Sequence, residues 1–170
     1  MPARTLLKLV GLLLLVAGAV TLAVVRLSAF GQNGDTGARV WFYDESAKRL
    51  YAVPADTIPP HKGTSGRRSD GVRAVVVRVP GGKDRIAYLE TYSPELKALL
   101  EKVREAHAAK RPFTGQVPAR DSDYFQTNAL VRRVEEPTWH PSNSPEALAI
   151  VAEWRSWGGS GGIMPAISTP

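Results

Sequence analysis

The chain has 170 residues, no cysteine, and 22 basic against 16 acidic side chains, for a formal charge of +6. This length predicts one domain, and the lack of cysteine excludes disulfides, thiolate zinc sites, a cysteine nucleophile and an acylated lipoprotein cysteine. The positive balance does not signal nucleic acid: Arg4, Lys8 and Arg26 carry +3 of it in an acid-free opening segment, and paired arginines occur only at Arg67-Arg68 and Arg132-Arg133.

From Leu9 to Val25 seventeen residues pass without a charge, and Leu6, Leu7 and Leu27 extend the apolar stretch. As a helix, Leu6 to Leu27 would measure roughly 33 Å, matching a hydrocarbon core of about 30 Å. A cleaved signal peptide ending at Ala29-Phe30-Gly31 is the alternative, but the run exceeds the length usual for a signal's apolar region. An uncleaved single-pass anchor is therefore expected. Arg4, Lys8 and the amino terminus outweigh Arg26 and Arg39, which keeps the amino end in the cytoplasm and exports the rest across the inner membrane. Gly11 and Gly18, with the Ala19 and Ala23 pair, would allow a second helix to approach.

After a polar linker at 32–37, Arg39–Asp44 and Arg49–Pro54 read as a hairpin of strands rich in β-branched and aromatic residues. Pro54, Pro59 and Pro60 then interrupt regular structure, and Ile58–Gly71 follows with His61, Ser65 and Asp70. Those three residue types suggest a hydrolytic triad, but no helix follows Ser65 as it does in a nucleophile elbow, so the stretch reads as a connection. Its glycine amides and hydroxyls, with Lys62, Thr64, Ser65, Arg67 and Arg68, could alternatively cradle an anion or rest on acidic headgroups.

Val72–Pro80 predicts a central strand, Gly81–Asp84 a turn and Arg85–Tyr92 the returning strand. Ser93, Pro94 and Glu95 open a helix whose stripe is Leu96, Leu99, Leu100 and Val103, ended by Lys110-Arg111-Pro112. Asn128–Val134 reads as a last strand, and Ser144-Pro145-Glu146 starts a shorter helix containing Ala147, Leu148, Ile150, Val151 and Trp154.

The remaining polar candidates are weak. His107 falls at the edge of the long helix's apolar stripe, which suits a structural histidine. His140, between Trp139 and Pro141, could pack on an aromatic or act as an acid-base group. Asp121-Ser122-Asp123 lacks the other oxygen ligands of a calcium loop, and no histidine pair has metal-binding spacing, so neither metal nor cofactor is expected. Trp139, Trp154 and Trp157 either close the core or present a binding surface. The tail, with Ile163, Met164 and Ile167 on a glycine-serine leash, is either disordered or docks in a partner's groove.

The runs GVRAVVVRV, IAYLETYSPELKALLE and WHPSNSPEALAI resemble a group of uncharacterised membrane-anchored bacterial proteins, found chiefly among planctomycete-like bacteria. The resemblance spans most of the exported domain in short patches without catalytic motifs. Members of that group carry cysteines in the hairpin that here reads Pro80-Gly81-Gly82-Lys83, so a redox or metal role of theirs has no residues to carry it in this chain.

The expected layout is a cytoplasmic tip and transmembrane helix at 1–31, a linker at 32–37, an exported α+β domain at 38–157 and a flexible tail at 158–170. The domain is expected to be a small, mainly antiparallel sheet of about five strands with one amphipathic helix packed on it. The leading functional expectation is a non-enzymatic accessory protein that associates with a larger membrane or envelope complex. A small hydrolase-like envelope enzyme using His140 or the His61 loop is one alternative. A binder of anions, lipid headgroups or polysaccharide is another.

Overall fold

The computed structural model describes residues 37–79, 82–157 and 166–170, and its folded unit begins at Arg39. The expected span with Gly11 and Gly18, the linker before Gly37, and the tail residues Ile163 and Met164 lie outside the described residues. Among the described residues no helix is long and apolar enough to cross a membrane.

The fold is α+β, built on a sheet whose paired strands are all antiparallel. Strands β1 (Arg39–Asp44) and β2 (Arg49–Pro54) form the expected hairpin, with Val40 opposite Val53 and Asp44 opposite Arg49. The turn between them is shaped by the Asp44 carboxylate, which accepts from the Ser46 and Ala47 amides at 3.0 and 2.8 Å. Strand β3 (Gly71–Arg78) pairs with β1 on one side and with β4 (Asp84–Tyr92) on the other. The β3–β4 register slips where Val75 faces Tyr88 and Val76 faces Ile86, so Ala87 forms a bulge. Strands β5 (Ala129–Arg132) and β6 (His140–Pro141) extend the sheet to give the order β2-β1-β3-β4-β5-β6, and β7 (Ala166–Ile167) also pairs with β3.

Apolar residues alternate along β3 on both faces, and both faces are covered. On one face Tyr43, Val72, Ala74, Val76 and Leu89 form the core, against which Trp41, Leu50, Ile86, Val134 and Trp139 pack. Those covering residues lie in strands and in the segment between β5 and β6 rather than in a helix. On the other face Val131 packs with Ala147 and Ile150, joined by Tyr88 and Val151.

Among the described residues three α-helices accompany the sheet. Helix α1 (Pro94–Ala108) begins as the sequence predicts, with the Ser93 hydroxyl accepting from the Leu96 amide at 3.2 Å and Pro94 in the first turn. Helix α2 (Asp123–Asn128) was not expected, and Asp121-Ser122-Asp123 is its start, with Ser122 capping the Phe125 amide. Helix α3 (Pro145–Glu153) is capped by Ser144 and continues into a 3₁₀ turn at Trp154–Trp157.

The helix expected to cover the sheet is corrected in one respect. Among the residues of α1 only Leu96, in the first turn, is fully buried, while Leu99, Leu100 and Val103 are half-buried and His107 is exposed. The shorter α3 places Ala147 and Ile150 in the core instead. Its higher apolar content explains this: between Glu146 and Glu153 every residue is aliphatic, so its buried face need not alternate with charge.

Ile150→Ala should therefore lower stability by about 3 kcal/mol, as expected for a fully buried aliphatic residue, and Leu100→Ala by only about 1 kcal/mol. Urea unfolding of both variants measures the difference, and equal losses would show that α1 is the principal cover.

Candidate functional site

The loop from His61 to Gly71 is closed at its neck by backbone bonds in both directions between those two residues, at 2.7 and 2.9 Å. Inside the neck, Gly63 accepts from Gly66 and donates to Arg67. Its donors turn inward. The Thr64 hydroxyl and the Ser65 amide each donate to Asp44 Oδ2 at 2.7 Å, and Asp44 is fully buried at the end of β1. Arg49 supports the arrangement by donating to the Thr64 hydroxyl at 2.8 Å. Two glycines are required by close approach: a side chain at Gly63 would meet the Asp44 carboxylate, and one at Gly71 would collide with the Tyr51 hydroxyl.

With four hydrogen bonds to its ionised form, Asp44 is held well below the ordinary carboxylate range, although burial acts in the opposite direction. The carboxylate of Asp44 thus takes two of the loop's donors. Of the candidate anion ligands, Thr64 and Ser65 are committed to Asp44, and Arg67 donates to Ser46 Oγ at 3.1 Å. Lys62 and Arg68 are exposed. Of the triad residue types, Ser65 donates to Asp70 at 3.3 Å, while His61 is an exposed residue whose backbone forms the neck.

His140 lies in β6, on the wall of an open cleft of about 440 Å³ between α3 and the segment before β6. Arg133, Glu136, Pro137, Glu146 and Ile150 also line it. Arg133 is engaged with both Glu136 and Glu153, so the cation at the cleft is neutralised by two carboxylates. Among the described residues no group of three or more histidines and carboxylates could hold a metal ion. His61 and Ser65 do not line this cleft.

Two further polar clusters escaped the sequence reading. Arg132, at the end of β5, is almost fully buried, donates to the carbonyls of Arg133, Val134 and Glu136, pairs with Glu45, and lies 4.6 Å from the Trp139 ring centroid. It folds the segment after β5 back over the sheet. On the opposite face Tyr88, Glu90 and Tyr92 share one side of β4, as residues two apart must. Burial pushes the Glu90 carboxyl up against the opposing charges of Arg73, 3.8 Å away, and Arg120, and it pushes the Tyr88 phenol up to about 12.

The aromatic candidates near the carboxyl end are partly used within the fold. Trp157 is half-buried beneath the Arg85 guanidinium, 4.3 Å from its ring centroid, and Trp154 is half-buried where α3 ends. Among the described residues the exposed large apolar side chains are Ile167, Leu148 on α3 at 59 %, Val117 and Tyr124 on α2 at 48 %. Asn143 ties the two helix starts together by donating to Asp123 at 3.2 Å. A leucine between Ala147 and Ala149 reads as core by composition, and only the helix's rotation reveals it as outward-facing. No family model, curated protein or solved structure matches the chain.

Asp44→Asn leaves the Thr64 hydroxyl and Ser65 amide facing an amide NH₂ or a single acceptor, so it should lower Tm at pH 7 and speed hydrogen exchange at the Ser65 amide. Because the folded carboxyl is depressed, its stabilisation is complete above the unfolded value near 4 and is lost as pH falls below it. Wild-type Tm should accordingly fall more steeply than that of the variant between about pH 4 and 2. Parallel profiles would remove Asp44 as the cause.

Proposed function

We propose that this chain is a membrane-anchored interaction protein that holds a small sheet domain outside the cytoplasm, where it docks on another membrane or envelope protein. The long uncharged run near the amino terminus supports the anchor and its orientation. The observation that carries the docking reading is the exposure of the large apolar side chains of Leu148 and Tyr124 on helices that bury Ala147, Ile150 and Phe125 against the sheet. Leu148 does not line the open cleft to which its helix supplies Glu146, Ala149 and Ile150; it presents an apolar side chain to solvent on the other side of α3. The reactive residue types serve the fold at the places best placed for chemistry: Asp44 gathers the His61 loop, and Arg133 is shared between Glu136 and Glu153. The partner class is protein, and no cofactor is invoked.

The test separates the two halves of the reading. Alkaline carbonate washing should leave the full chain in the membrane pellet, and deletion of residues 1–31 should release it; a full chain recovered in the wash would remove the anchor. A photocrosslinker at position 148 in intact cells should give a heavier adduct identifiable by mass spectrometry, whereas one at exposed Arg104 should not. Leu148→Lys, a surface change expected to shift Tm by no more than about 2 °C, should weaken that association. Absence of any adduct at position 148 would overturn the docking reading.

A further inference from the structure

The outer edge of β3 is divided between two partners. β1 covers it from Gly71 to Arg73, and the last residues of the chain cover it further on, with Ile167 opposite Val77 and Ala166 opposite Arg78. The tail expected to be flexible therefore ends as a strand on the chain's own sheet. Its fit is chemically specific. The Ser168 amide donates to the Val76 carbonyl at 2.8 Å, and the Ser168 hydroxyl donates to Asp84 Oδ2 at 2.7 Å. Arg78 holds the same carboxylate through two bonds at 2.9 and 3.1 Å, and these contacts bring the Asp84 carboxyl down to about 2. A clasp thus runs from β4, over the end of β3, to the tail.

This attachment is short. Two registered pairs and one clasped serine are well below the five or six residues of an ordinary strand. Ile167 remains 65 % exposed despite its position in the sheet. Eight residues, 158–165, separate the 3₁₀ turn from the strand and span at most about 30 Å. An identical tail from a second copy offers the same amide, hydroxyl and aliphatic side chain to the same edge, so exchanging the two replaces each contact with its equivalent.

We propose that β3 from Val76 to Arg78 is a strand-addition site that takes the carboxyl-terminal strand of a second copy of this chain, each tail closing the other's sheet. The proposed anchor would favour exchange by concentrating copies in one plane, but the contacts themselves need no bilayer.

The chain has no cysteine, so introduced thiols can pair only with one another. Val77 and Ile167 form a non-hydrogen-bonded pair, a position where Cα atoms lie about 4.5 Å apart and a disulfide can close. Full-length chain carrying both Val77→Cys and Ile167→Cys, purified in mild detergent and oxidised, reports whether the tail occupies the edge. Two differently tagged chains, one with Val77→Cys and the other with Ile167→Cys, report exchange when coexpressed. A disulfide-linked heterodimer is expected from the second experiment, and Ser168→Pro, which removes the amide bonded to Val76, should abolish it. The proposal is overturned if the doubly substituted chain closes only on itself while the split pair stays unlinked, if neither links, or if Ser168→Pro leaves the heterodimer unchanged. Should Val77→Cys fail to fold, Arg78→Cys against Ala166→Cys is read in the same way. Because the experiment is run in detergent, loss of the anchor reading would leave its result standing.

Discussion

A carboxylate removed from water stays ionised only where donors replace its hydration, and the fully buried Asp44 imposes that requirement on everything around it. Two of its donors are the amides of its own turn, and the other two come from Thr64 and Ser65. Satisfying the charge therefore fixes the β1–β2 turn and the His61 loop to each other. The neighbouring Glu45 amide donates to the Asp70 carbonyl at 2.9 Å, which continues the same junction toward β3. A stretch rich in glycine and serine, with every reason to be mobile, is thereby given one conformation by a residue from another part of the chain.

Arg132 plays the corresponding cationic part at the other side of the sheet. Its guanidinium gathers three carbonyls of the segment that follows β5 and reaches Glu45 next to Asp44. The two buried charges thus share a neighbour although they lie on opposite faces of the sheet, and each shapes the loops on its own side. The face opposite Arg132 follows a different rule: α3 packs Ala147 and Ile150 onto it by apolar contact. One side of the sheet is covered by polar bonding of loops around Trp139 and Val134, and the other by a helix.

The features legible in the sequence are those whose cause is local. The first four strands were visible in their β-branched and aromatic content, and both Ser-Pro-Glu helix starts in their capping chemistry. Helix α2 was missed because six residues are too few to show a 3.6-residue period, although Ser122 before Asp123 was a capping signal. Asp44 ends a strand and reads as an ordinary turn residue; its partners Thr64 and Ser65 are 20 and 21 positions away. Arg132 reads as one of a surface pair, because nothing in "VRR" tells which arginine meets three carbonyls. The loop's donors were legible, but that two of them go to Asp44 was not. Nothing in the aliphatic run of α3 distinguishes Leu148 from Ile150, and only the packing separates them.

The pairing of β7 with β3 joins positions that the Arg78–Ser168 contact places 90 residues apart, and this has a consequence for the chain as it is made. Synthesis runs from the amino end, so the hairpins and β5 can assemble while the far end of β3 still lacks its neighbour. An open sheet edge recruits other strands, and here it stays open until Ala166 to Ser168 have been made and have left the ribosome. Nascent chains stalled before Ala166 would thus carry six paired strands with a sticky margin, and the serine-bearing strand would serve as the seal that ends this vulnerable interval.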